Sequence, residues 1–319
     1  MFAFRLKLVP ANASFDFLGK SKIAGIFSAL LVLGSIGLFL IQGLNLGIDF
    51  RGGILLEARG QSAVDIADIR RDLSSLDLGD ISIQQFGTDE DILIRVQRQS
   101  GDEKAQIAAI TAITQALGAE FDIRRTEFVG PAIGKELTEK GILAVACALL
   151  AIMVYIWFRF EWQFAITAIA ALTHDVISTI GLFALTQFEF NLATIAAILT
   201  IAGYSINDTV VVFDRVRENM RRYKSWEQRD ILNKALNETL SRTVTTSVTT
   251  ALALLAIIFF GGAVLRDFAL AMLWGVTIGT YSSIFVAVGL INRFDVKQAM
   301  QDEDDDPAAT GSGSKSNEG

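Results

Sequence analysis

Cysteine and histidine are almost missing from this chain: among 319 residues there is one of each, Cys147 and His174. A single cysteine excludes an intrachain disulfide, so every segment has to hold its shape by packing. Neither a metal site nor a cofactor is expected. Proline is scarce too, with three residues against 26 glycines, a balance that suits packed membrane helices better than loop-rich soluble structure. Positive charge is in deficit, the net charge being −7, which argues against a nucleic-acid-binding protein.

What the chain has is apolar sequence in long runs. It is 51% hydrophobic yet 20% charged, a mixture explained by two solvents, lipid for the uncharged stretches and water for the rest. Six windows read as membrane spans: 23–41, 141–158, 163–186, 192–213, 244–264 and 268–291. Each is near the ~20 residues that cross ~30 Å of hydrocarbon. The first, preceded by Arg5, Lys7, Lys20 and Lys22, has the flank of a signal peptide. It is too long for one and lacks a small-x-small cleavage site, so it reads as a retained anchor. Basic residues also mark the turn at Arg159 and the stretch from Arg215 to Arg242, which carries eight Lys and Arg. Alternating the spans collects these on one side and puts both termini in the cytoplasm.

The division that follows is a cytoplasmic segment 1–22, a first span 23–43, an external domain 44–136, and a five-helix bundle 137–293. The bundle contains a cytoplasmic loop 214–242. An acidic, then Gly/Ser-rich tail 294–319 reads as disordered and cytoplasmic. Within the external domain, strand patterns at 54–57, 81–86, 92–96 and 121–129 alternate with helical spacing at 64–76 and 104–117. The order βαββαβ predicts a small α+β ferredoxin-like layer of helices on one sheet. It holds no His, Cys or Gly-rich phosphate loop, and reads as a binding or docking domain rather than an enzyme.

Local motifs point further. Gly47-Ile48-Asp49-Phe50-Arg51-Gly52-Gly53 follows the first span, and Glu127-Phe128-Val129-Gly130-Pro131 precedes the second. Arg159-Phe160-Glu161-Trp162 lies in the next turn. The longest motif runs from Gly203-Tyr204-Ser205-Ile206-Asn207-Asp208 to Asp214-Arg215-Val216-Arg217-Glu218-Asn219. Arg242-Thr243 opens the fifth span, and Gly275-x-x-x-Gly279-Thr280 lies in the sixth. In this order, over about residues 23–293, the set resembles the SecD/SecF family of protein-export membrane proteins. The short external region is similar to the SecF branch. The family belongs to the resistance–nodulation–division superfamily of proton-coupled machines.

The resemblance implies an inner-membrane accessory subunit of the Sec translocase that works with SecD and the proton motive force in late steps of export. It also implies association with the SecY–SecE–SecG channel, SecA, YajC and the translocating preprotein. Two other classes stand beside it. One is a proton-coupled exporter of small molecules or lipids from the same superfamily, disfavoured because such exporters have about twice the spans. The other is a non-transporting scaffold of the translocase.

Independently of the family, few ionisable residues fall inside the spans: His174, Asp175 and Asp208. A carboxylate at mid-span costs roughly 2.5–3.5 kcal/mol on insertion scales, so each invites a functional reading. The resemblance associates the positions of Asp208 and Arg242 with proton transport. An Asp208–Arg242 pair that parts on a conformational change would let the carboxylate take up a proton. Asn207 stands beside Asp208, and Asp267, in the last external turn, is a weaker candidate for proton access. Each has a plainer alternative. Asp208 is then a permanently paired group, Arg242 snorkels to the membrane surface, Asp267 is a solvated carboxylate, and Asp175 with His174 locks helix packing. Motif residues Asp49, Phe50, Gly52 and Gly53 are expected to form a turn and the first strand, and Gly130 with Pro131 to be structural. The small-residue ladder through Gly275 and Gly279 packs either inside the bundle or against a partner.

Overall fold

The computed structural model describes residues 14–296 apart from 80, 102 and 262. Arg5, Lys7 and the tail from 297 onward lie outside the described residues.

Among the described residues, six helices are long and apolar enough to cross a membrane. They are α1 (Ser21–Gln42), α5 (Pro131–Arg159), α6 (Trp162–Thr186), α7 (Leu192–Arg222), α8 (Gln228–Phe260) and a last one that begins as α9 (Ala263–Tyr281). That last helix widens into a π-helical segment at Ser282–Ala287 and closes with α10 (Val288–Ile291). Helices α6, α7 and the last are the buried centre of the bundle. Most of α1, α5 and α8 faces outward. The outward residues of α1 and α5 include Ile23, Leu30, Leu40, Ile142, Leu150 and Phe158, large apolar side chains that suit lipid.

Between α1 and α5 stands the α+β domain: α2 (Ile48–Arg51), β1 (Gly53–Gly60), α3 (Ile66–Ser74), β2 (Ile81–Phe86), β3 (Thr88–Val96), α4 (Glu103–Leu117) and β4 (Phe121–Val129). The sheet order β2-β3-β1-β4, antiparallel throughout, is the ferredoxin-like arrangement expected. Alternation puts Ile54, Leu56 and Ala58 of β1 with Ile92, Ile94 and Val96 of β3 on one face. Leu73 of α3 and Ile113 of α4 cover them. The Asp65 side chain accepts from Ala67 N and starts α3, while Gly87 at φ +72° turns the β2–β3 hairpin.

Several boundaries differ from the expectation. Ile48–Arg51 is one helical turn, and the first strand starts only at Gly53. Helix α5 starts ten residues before the apolar window, because Pro131 at its first position favours helix entry there. The connection 214–242 is largely helical: α7 and α8 run past the apolar windows and only 223–227 breaks the helices. Helix α8 ends at Phe260 and α9 begins at Ala263, so Asp267 stands inside α9 rather than in a loop.

Candidate functional site

Asp175 sits at the centre of the bundle and is fully buried. Its helix neighbour His174 brings Nδ1 to 2.9 Å from Oδ1. Ser205 of α7 donates to Oδ2 at 2.5 Å, and Ser282, at the start of the π-helical segment, donates to the same oxygen at 2.7 Å. The π-turn thus opens where the last helix presents a hydroxyl to the carboxylate. The polar seam continues outward, with Tyr281 next to the His174 ring. Its hydroxyl donates to Ala24 O at 2.7 Å and is hydrogen-bonded to Ser28, both on α1. One carboxylate therefore ties α6, α7 and the last helix, and its neighbours reach α1. The sequence marked His174 and Asp175. It gave no sign that Ser282 or Tyr281 would join them, because they meet across more than 100 residues.

Asp208 lies one turn beyond Ser205 on α7 and is 3% exposed. Its Oδ2 is buried without a hydrogen-bond partner among the described residues. A buried carboxylate oxygen left without a donor costs about 1–3 kcal/mol, more when charged, so this is a place that calls for a proton or a cation. The expected Asp208–Arg242 ion pair is not formed. Arg242 is exposed on α8, near enough for its charge to act at Asp208, but makes no ion pair among the described residues. Asn207 is exposed as well, on the far side of α7 from the Asp175 cluster. The small-residue ladder is internal: a Cβ at Gly275 would overlap the Ile201 side chain, and one at Gly279 would come within 3.1 Å of Ser205 Cβ. Those glycines let the last helix approach α7 closely enough for Ser282 to reach Asp175.

At the sheet-domain end the first motif is a docking element. Asp49 accepts from Leu192 N at 2.9 Å, beside the Asn191–Thr194 capping box that starts α7. The Phe50 ring approaches Phe190, Gly134 of α5 lies against the Asp49 and Phe50 carbonyls, and Gly53 pairs with Val129, so the two motifs around the domain meet. Arg95 of β3 pairs with Glu189 in the α6–α7 turn, both side chains 12% exposed. Burial pushes the Glu189 carboxyl up, while the Arg95 charge beside it pulls the other way. The open face of the sheet and this turn enclose a cleft of about 660 Å³, with Asp49, Glu57, Glu127 and Glu189 facing Arg125 and Arg266. Asp267 lines it too.

At the opposite end, the second half of the long motif meets the Arg-Phe-Glu-Trp turn. Arg159 pairs with Asp214 at 2.7 Å and Glu161 with Arg217 at 2.9 Å. The segment leading into α1 is strapped to α8: Asn233 Oδ1 accepts from Phe17 N and Leu18 N, Asn237 pairs with the Phe15 backbone, and Arg229 reaches Asp16.

Six spans around a buried carboxylate, with one ferredoxin-like domain between the first two, define a polytopic membrane protein with an intramembrane polar site. Residues 109–297 match the family described as Protein export membrane protein SecD/SecF, C-terminal, and residues 37–64 match the SecD/SecF GG motif. The chain belongs to the SecD/SecF family. A protein translocase subunit SecF from Magnetococcus marinus is 51% identical over 88% of this chain and 92% of its own. One from Cereibacter sphaeroides is 46% identical over 91% and 92%. Among solved structures, the SecDF of Thermus thermophilus superposes with a TM-score of 0.80 at 36% identity over 91% of this chain. The chain spans 39% of that longer protein.

Proposed function

We propose that this chain is an accessory subunit of the protein translocase that, with a SecD-type partner, uses the proton motive force to promote late steps of export. The observation that carries the proton coupling is Asp208, a carboxylate buried in a membrane helix with one oxygen left without a partner. Its protonation would be set by whether Arg242, or a group from the partner, swings in to meet it. One charge moved across 100 mV is worth about 2.3 kcal/mol, enough for a few protons to drive a rearrangement.

The outward faces of α7 and α8 support the partner. They expose Thr200, Gly203 and Asn207 on α7 and Arg242, Thr245 and Thr249 on α8, beside apolar Leu252 and Phe259. Small and hydrogen-bonding side chains in a bilayer favour another helix over lipid. By the loop charges, the sheet domain is external and both termini are cytoplasmic in the inner membrane. There the domain would assist the emerging preprotein, and the complex would associate with SecY–SecE–SecG, SecA and YajC. The small-molecule exporter reading is not favoured, since the near-full-length relatives are translocase subunits.

The test is Asp208→Asn in the reconstituted complex with an imposed proton gradient. Asparagine keeps the shape and hydrogen bonding but cannot cycle charge. Gradient-dependent export should vanish while abundance and complex assembly persist. Normal gradient-dependent export would end the assignment, and loss of the complex instead would favour a scaffold.

A further inference from the structure

The paired glycines of the first motif shape a second cleft. Gly53 sits at φ +135°, and a Cβ there would come within 2.7 Å of Val96 O and 3.7 Å of Arg98 N. Its missing side chain lets the tail of β3 lie directly against the end of α2. Arg51, the last residue of α2, and Arg98, just past β3, thereby line one cleft of about 610 Å³ together with Arg95, Ser82, Gln99 and Asn45. Among the described residues that line it there are three arginines and no carboxylate. The cleft over the α6–α7 turn, by contrast, mixes both signs. Arg51 and Arg98 are exposed and make no ion pair among the described residues. Arg95 gives one amino group to Glu189, but its Nε is buried without a partner among the described residues.

Depth in the membrane narrows the ligand. Helix α1 has 22 residues, a length of about 33 Å, close to the ~30 Å of bilayer hydrocarbon. Asn45 and Leu46, three and four residues past its end, line the cleft, so the opening lies in the headgroup layer. Guanidinium groups are planar forks that match phosphate oxygens two at a time, and serine and glutamine supply further donors. We infer that this cleft binds the phosphate of an anionic phospholipid headgroup, in the leaflet on the sheet-domain side. The glycine pair would then serve to bring two arginines of separate elements to one phosphate. Lipid held there would fix the domain against the membrane surface.

The test uses the full chain in mild detergent, offered equal phosphatidylglycerol and phosphatidylcholine and weighed intact by native mass spectrometry. Phosphatidylglycerol should be retained over phosphatidylcholine. Joint Arg51→Gln and Arg98→Gln should lower that retention by about tenfold or more, as expected for losing charge-assisted bonds. Arg70→Gln with Arg124→Gln, two exposed arginines of the same domain outside the cleft, should retain it as the unaltered chain does. Should the double variant not fold, Arg98→Gln alone should still lower retention about threefold or more. No loss in the cleft variants, or equal loss in the control pair, overturns the site. Inorganic phosphate separates the two sources of this chemistry. Retention that it leaves intact supports the lipid, whereas displacement by it at millimolar concentration assigns the cleft to free phosphate and overturns the lipid assignment.

Discussion

Asp175 offers a perturbation whose size follows from its surroundings. Asp175→Ala removes the acceptor of three hydrogen bonds, from His174, Ser205 and Ser282. Bonds to a charged group contribute about 1.5–3 kcal/mol each, but the carboxylate's own desolvation, several kcal/mol, offsets much of the sum. Ser282 retains Gly279 O as an acceptor at 3.1 Å, so its hydroxyl is not orphaned, while the His174 ring is. A net loss of about 2–4 kcal/mol follows, within the range for breaking a buried network. Ser205→Ala and Ser282→Ala should cost about 1–2 kcal/mol each. Asp175→Asn is informative in another way. Its oxygen can take both serine hydroxyls, but its amide then faces His174 Nδ1, which accepts only when the proton sits on Nε2. That nitrogen is buried without a partner among the described residues, so the tautomer change has its own cost. Denaturant unfolding of the full chain in detergent measures these values, and the Asp175/Ser205 double-mutant cycle should show coupling of about 1 kcal/mol or more. Unchanged stability in Asp175→Ala, or strict additivity with Ser205→Ala, would refute the view of Asp175 as the knot of the bundle. Loss of gradient-driven export with stability intact in Asp175→Asn would instead make it a proton carrier.

Two glycines should behave oppositely. Gly275→Val drives a side chain into buried Ile201 and should destabilise by about 1–3 kcal/mol in the same unfolding assay, whereas Gly203→Leu, with open space around it, should leave stability unchanged but lower co-purification of the SecD-type partner. Arg95→Ala leaves the largely buried Glu189 without its partner at a cost of about 3 kcal/mol, read as faster amide exchange in residues 187–191; unchanged exchange there would deny the pair a docking role. Protease added outside spheroplasts should cut between 45 and 135 and spare 215–242, and the reverse pattern would invert the orientation.

Periodicity carried the architecture. Apolar windows located all six spans, and strand-like runs at 54–57, 81–86, 92–96 and 121–129 fell on the four strands of the sheet, because both signals are local. The same locality explains the misses. Helix α8 looked like a basic loop over its first turns because its amphipathic face there packs on protein rather than lipid, with Ile231, Leu232 and Ala235 buried among charged neighbours. The α2 turn was hidden by its glycines, which ordinarily argue for extended chain or a tight turn. For the polar site, isolated charges in apolar sequence named Asp175, His174 and Asp208, but their partners could not be read. Serine and tyrosine are common in membrane helices, and which of them meets a carboxylate depends on helix rotation and on the close approach that Gly275 and Gly279 allow.

The strap between residues 15–18, just ahead of α1, and α8 bears on how the protein is built. Asp16 and Phe17 are bound by Asn233, 217 and 216 residues later, so α1 enters the bilayer long before its fastening exists. Contacts of such separation close late, because loop-closure entropy has to be met before they stabilise anything. During synthesis at roughly 5–20 residues per second, the segment ahead of α1 would stay loose for about 10–40 seconds. The first helix could thus pack on α6, where Ser35 lies against Gly181, while the residues just ahead of it stay unfastened until α8 emerges from the ribosome.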